Sequence, residues 1–202
     1  MGIWYGRIGG TLIVGGCLLC LLDAAIVVAG GNADSTLHAV DQLIVPGALV
    51  PIGLGAAVLA VAGPRPLNGR AARVGLGMLG AGLLSYLAVT VLPVREGSNN
   101  LQSWPHIILL VFGVLATVTG LIFTGVSLVR APGPARAGGS LLLAGLLSFP
   151  CAGVLSTGAA DQPIVAIVSA LVVLGFIGGF LGLIGIGVLA IKGDRSGSDT
   201  ST

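Results

Sequence analysis

Asp23 is an acidic side chain inside a run of apolar residues that extends from Ile8 to Ala29. An ionisable residue within a membrane-crossing segment is costly to bury, and its default reading is functional. At 1.5 Å per residue it lies about 22 Å along that run. In a helix that starts at the cytoplasmic face, this is the outer half of the membrane. Tyr86 and Thr90, in the third apolar run, fall at a similar depth. The chemistry these three offer is a proton or cation site that opens outward. The competing reading is a carboxyl group hydrogen-bonded to a neighbour or reaching the interface.

Cys17 and Cys20 form a Cys-x-x-Cys pair one helical turn apart near mid-membrane. Thiol–disulfide exchange needs a reachable thiolate. No base lies near the pair in sequence, so the bland alternative is two small buried hydrophobes. Zinc would need a third and a fourth ligand. His38 and His106 fall outside the apolar runs, whereas a transmembrane haem wants paired histidines within the bundle. Gly75-Leu-Gly77-Met-Leu-Gly80 matches the dinucleotide-binding Gly-x-Gly-x-x-Gly in form only, because no strand precedes it and it lies inside an apolar run. There is no Ser/His/Asp set, no pocket of paired carboxylates and no phosphate loop. The expectation is a protein that is not an enzyme and holds no cofactor or metal.

The elements that position these residues follow from composition. Of 202 residues, 55% are hydrophobic and 8% charged, and 35 are glycine. A soluble domain carries about a quarter charged residues, so a soluble enzyme, a nucleic-acid binder and a disordered chain are all excluded. The glycines lack the three-residue period of collagen. An all-α integral membrane protein remains. A transmembrane helix needs about 20 mostly apolar residues. Six stretches qualify: 8–29, 44–62, 74–94, 107–129, 138–157 and 164–191. They do not alternate as barrel strands do. The first is longer than a signal-peptide core and is expected to be retained.

Charge sets the orientation. Arg7, Arg65, Arg70, Arg73, Arg130, Arg136, Lys192 and Arg195 fall on one side of a six-span layout, and only Arg95 falls on the other. Both termini are therefore expected in the cytoplasm. Arg outnumbers Lys eight to one, a composition that suggests a high-GC bacterium and hence the bacterial cytoplasmic (inner) membrane.

Internal repetition divides the chain further. Arg7-Ile-Gly-Gly-Thr-Leu is echoed by Arg136-Ala-Gly-Gly-Ser-Leu and, more loosely, by Arg73-Val-Gly-Leu-Gly-Met. Nine residues after each Arg stands a glycine: Gly16, Gly82 and Gly145. In the even helices, the frame aligns Gly55 with Gly125 and Gly187. Ser103-Trp-Pro105 and Asp161-Gln-Pro163 place a capping residue two positions before a proline, as at a helix start. The same count puts the start of helix 2 near Asp34-Ser35, so the even helices should run to about 27–30 residues. Pro46 and Pro51 should kink helix 2. The expectation is a six-helix transmembrane bundle of three tandem two-helix parallel repeats, about 1–66, 67–134 and 135–192. Together they form a single membrane domain, 1–192, and 193–202 is a disordered cytoplasmic tail. The layout resembles that of mitochondrial carriers in outline, but their Pro-x-acidic-x-x-basic motif is absent from this chain.

Glycine is common where membrane helices pack closely. Gly175/Gly179 and Gly178/Gly182 are Gly-x-x-x-Gly pairs in helix 6, suited to packing within the chain or against a second helix-bearing partner. The expected role is a non-catalytic multi-pass accessory or scaffold subunit. It would bind the lipid bilayer and pack against a membrane-protein partner or further copies of itself, but not nucleic acid. The alternative is a small-solute, lipid or ion transporter or channel with Asp23 in its pathway, and its weakness is the shortage of polar residues to line one.

Overall fold

The computed structural model describes residues 2–30, 35–64, 67–91, 104–146 and 162–193. These form six α-helices and no strand: α1 (Gly2–Gly30), α2 (Ser35–Ala62), α3 (Arg70–Val91), α4 (Trp104–Val129), α5 (Pro134–Gly145) and α6 (Gln162–Gly193). Four carry stretches long and apolar enough to cross a membrane: Trp4–Asp23, Arg70–Val89, Trp104–Val129 and Ile167–Lys192. Gly47–Ala62 in α2 is a shorter apolar stretch.

The helix starts follow local chemistry. α4 and α6 begin at Trp104 and Gln162, each with proline as its second residue, where the missing N–H has no partner to lose. α2 begins at Ser35 and continues through Pro46 and Pro51 as one helix. α2, α4 and α6 have 28, 26 and 32 residues, close to the expected length. α1, at 29 residues, is as long as they are. α5 has 12 residues, so most of the expected fifth span lies outside the described residues, as does the 194–202 tail.

Each helix packs against the one before it and the one after it, and α6 closes on α1. The helices therefore form a ring. An apolar cluster is buried within it. Ile13 and Cys17 of α1, Ile52 and Leu59 of α2, Leu76 and Leu79 of α3, Leu128 of α4, Leu142 of α5 and Ile186 of α6 belong to one buried apolar cluster.

Small residues set how closely consecutive helices approach. A methyl group added at Gly9 would stand 3.0 Å from the Gly55 carbonyl oxygen, and one at Gly16 would stand 2.7 Å from that of Ala48. In α3–α4 the same relation joins Gly75 to Gly120 at 2.9 Å and Gly82 to Gly113 at 2.7 Å. In α5–α6 it joins Gly138 to Gly182 at 3.9 Å and Gly145 to Gly175 at 3.1 Å. Within each helix the two small residues are seven apart, and that spacing keeps both on one seam between helices crossing at a shallow angle.

A second set of glycines faces the neighbouring hairpin. Gly80 lies against Gly53, Gly139 against Gly125, and Gly187 against Gly10. This corrects the alignment of Gly55 with Gly125 and Gly187. Gly55 faces its own hairpin partner, whereas Gly125 and Gly187 face the next helix round the ring. By their contacts, the residues that correspond to Gly55 are Gly120 and Gly182.

Candidate functional site

Asp23 lies on α1, two turns beyond Gly16, and is buried with 7% of its surface exposed. Cys17 and Cys20 precede it at three-residue steps and are also buried, so the three form one inward stripe on the helix. Both cysteines are free thiols. Among the described residues, no group of three His, Cys, Asp or Glu side chains is arranged to hold a metal ion.

Tyr86 does not join this stripe. It lies on α3, which packs against α2 and α4, whereas α1 packs against α2 and α6. Tyr86 is 40% exposed. The Thr90 side chain lies outside the described residues, as do the side chain of His38 and all of Cys151. Asp23 and Tyr86 do not share a helix seam.

Among the described residues, two serines turn their hydroxyls back onto their own helices. Ser85 donates its hydroxyl to the Ala81 carbonyl at 2.8 Å, and Ser140 donates to Arg136 at 3.0 Å. Both bonds turn the hydroxyl back onto its own helix, as serine does in apolar surroundings. Thr124 is fully buried in the α3–α4 seam, and its Oγ1 has no hydrogen-bond partner among the described residues. Sequence reading passed over Thr124 because a lone threonine in an apolar helix carries no signal of its burial.

The four glycines singled out in α6 are used inside the chain. Gly175 and Gly179 meet Gly145, Gly178 lies near the Leu141 carbonyl, and Gly182 meets Leu142 and Gly138, all on α5. The outward residues of α4 and α6 are instead large and apolar: Ile108, Phe112 and Leu115 on α4, and Ile167, Leu174 and Phe176 on α6 are all exposed. Trp4, Tyr5 and Trp104 are exposed near helix ends, where aromatic side chains suit a membrane interface. Comparison with known proteins finds no matching family, no similar curated protein and no similar solved structure.

Proposed function

We propose that the protein is a non-catalytic multi-pass membrane protein that serves as an accessory or scaffold subunit, packing against partner membrane proteins. The observation that carries this reading is the apolar interior of the ring. All six helices contribute to one apolar cluster, and Asp23 and Thr124 are the buried polar side chains among the described residues. A conduit for polar solutes needs convergent polar groups, whereas the buried cluster among the described residues is apolar. The exposed aliphatic and aromatic side chains of α4 and α6 suit lipid or a second transmembrane surface.

In this reading the chain is three copies of one parallel hairpin arranged about the membrane normal, with both helix ends that carry Arg7 and Lys192 in the bacterial cytoplasm. The glycine spacing common to the three hairpin seams supports the repeat, and the one-sided distribution of basic residues supports the orientation. A second reading, a transporter with Asp23 in its pathway, is favoured by the burial of that carboxyl-bearing residue.

Purification in mild detergent, with identification of what co-purifies, tests the proposal. A stoichiometric membrane-protein partner is the expected result. A monodisperse protein without partners that gives Asp23-dependent flux in liposomes would sink the subunit reading. Reporter fusions at Asn99 and Thr202 are expected on opposite sides of the membrane, and agreement between them would refute the six-span layout.

A further inference from the structure

The connection from α2 to α3 carries a cleft of about 540 Å³ lined by Ala60, Asn68, Arg70, Arg73 and Val74. Its construction starts at the end of α2. Gly63 adopts φ +52°, the left-handed conformation that lets glycine end a helix, and its N–H donates to the Leu59 carbonyl at 2.9 Å. A methyl group at this position would stand 3.2 Å from Cδ and 3.3 Å from Nε of Arg73. The residue thus supplies both the turn and the room for that side chain. Arg73 donates Nε–H to the Ala60 carbonyl at 2.8 Å and Nη2–H to that of Val61 at 3.2 Å. Its charge is thereby fixed on the open carbonyls of the α2 terminus. Leu67, fully buried, anchors the connection, and its N–H meets the Pro64 carbonyl at 2.6 Å.

These two bonds use two of the five guanidinium N–H groups, leaving three. Arg70 stands one turn earlier on the same face of α3 and is exposed. Asn68 adds a carboxamide. No acidic residue occurs between Asp41 and Glu96, so this segment supplies no carboxylate to neutralise the pair. Two guanidinium groups at a cleft, one of them held rigidly, suit a ligand with several anionic oxygens in a plane or tetrahedron. Val74, which lines the cleft, is 48% exposed, and Val61, whose carbonyl accepts from Arg73, is 80% exposed.

We propose that this cleft binds the phosphate of an anionic phospholipid. Arg70 and the free N–H groups of Arg73 hold the phosphate oxygens, Asn68 contacts the headgroup, and Val61 and Val74 meet the first methylenes of the acyl chains. The ligand chemistry is a phosphate group, which free inorganic phosphate shares, and the two exposed valines select the lipid. This rests on the membrane-embedded part of the proposed function and not on the subunit role, so the absence of a co-purifying partner leaves it standing.

Native mass spectrometry of the full chain in detergent tests it, with phosphatidylglycerol, phosphatidylcholine and inorganic phosphate as probes. Phosphatidylglycerol is expected to be retained in preference to phosphatidylcholine and to resist excess inorganic phosphate. Arg70→Ala is expected to weaken its retention by about tenfold, the loss of one charge-assisted hydrogen bond. Arg136→Ala, at the next connection on the same side, should leave retention unchanged. Arg70 is the informative position because Arg73 also holds the end of α2. Equal retention of the two lipids, an Arg70→Ala protein that binds as the parent does, or an equal loss from Arg136→Ala would overturn the site. Displacement of the lipid by inorganic phosphate would overturn the lipid assignment. A chain that stays monodisperse in water without detergent would overturn the membrane reading beneath it.

Discussion

In the α1–α2 hairpin, Gly9 and Gly16 face the branched side chains of Leu59 and Ile52; in the α3–α4 hairpin, Gly75 and Gly82 face Thr124 and Thr117. The glycines hold the same places, and what differs is the residue that fills the notch. At Gly9 the nearest atoms to an added methyl group are the Leu59 Cδ2 and Cγ atoms at 2.9 Å, which belong to a side chain that can rotate. At Gly82 they include the Thr117 backbone nitrogen at 2.6 Å and the Gly113 carbonyl at 2.7 Å, which cannot move without the helix. Both seams bring an added methyl group equally close to a facing carbonyl, 2.7 Å at Gly16 and at Gly82, a close approach common in membrane proteins. What differs is the rest of the notch: the short filler leaves backbone nitrogen beside Gly82, and the long one packs aliphatic side chain against Gly9.

This contrast predicts a graded response to one substitution. Gly82→Ala should be the most damaging, at about 2–3 kcal/mol, the upper range for forcing atoms into a packed interface. Gly9→Ala should cost about 1 kcal/mol, because Leu59 can yield in part. Gly138→Ala meets nothing nearer than 3.9 Å. It should be neutral or stabilise by up to about 1 kcal/mol, since alanine is the better helix former. Thermal unfolding of the purified variants in one detergent gives the order. If Gly9→Ala proved as damaging as Gly82→Ala, the distinction between the two seams would fail.

A second substitution sharpens the comparison from the other side. The Thr124 hydroxyl is buried without a hydrogen-bond partner among the described residues, which costs about 1–3 kcal/mol. Thr124→Val keeps the shape and removes that cost, so a melting temperature raised above the parent is expected. Thr124→Leu imitates the first hairpin at a seam too narrow for it, because Gly75 lies against the Thr124 backbone, and it should lower the melting temperature. The smallest effect is expected at Gly15, where an added methyl group meets nothing within 4 Å. There Gly15→Ala should change the melting temperature little, and upward.

The legible part of this fold is the part governed by neighbours in sequence. α4 and α6 start at Trp104 and Gln162, each one residue before a proline that acts within the first turn, and α2 starts at Ser35, where the same spacing put it. The frame that linked Gly16, Gly82 and Gly145 also holds in contact terms, since each faces its hairpin partner. The even helices were harder to read because each carries small residues for two seams. Which seam a glycine serves depends on the rotation of the helix about its axis. That rotation separates Gly55 from Gly125 and Gly187. Tyr86, for its part, sits on α3, which packs against α2 and α4, while Asp23 sits on α1, which packs against α2 and α6. Counting along a helix gives depth, but it gives neither the direction a residue faces nor the order of helices round the ring.

Five of the six seams join helices consecutive in the chain, and the sixth joins α6 to α1. There the Gly187 carbonyl lies 2.5 Å from a methyl group placed at Gly10, and Ala190 lies near Gly6. No short connection enforces that seam, so it works as a clasp. A ring with a clasp has two covalently equivalent states, closed on itself or opened into a strip whose first and last helices each seek a partner. Two strips can close on one another and bury the same glycine contacts that one ring buries alone. Domain exchange between copies would therefore need no new surface, and its equilibrium would be set by concentration in the membrane rather than by any added contact. A cross-link between positions 10 and 187, within one chain or between two, would report which state is present.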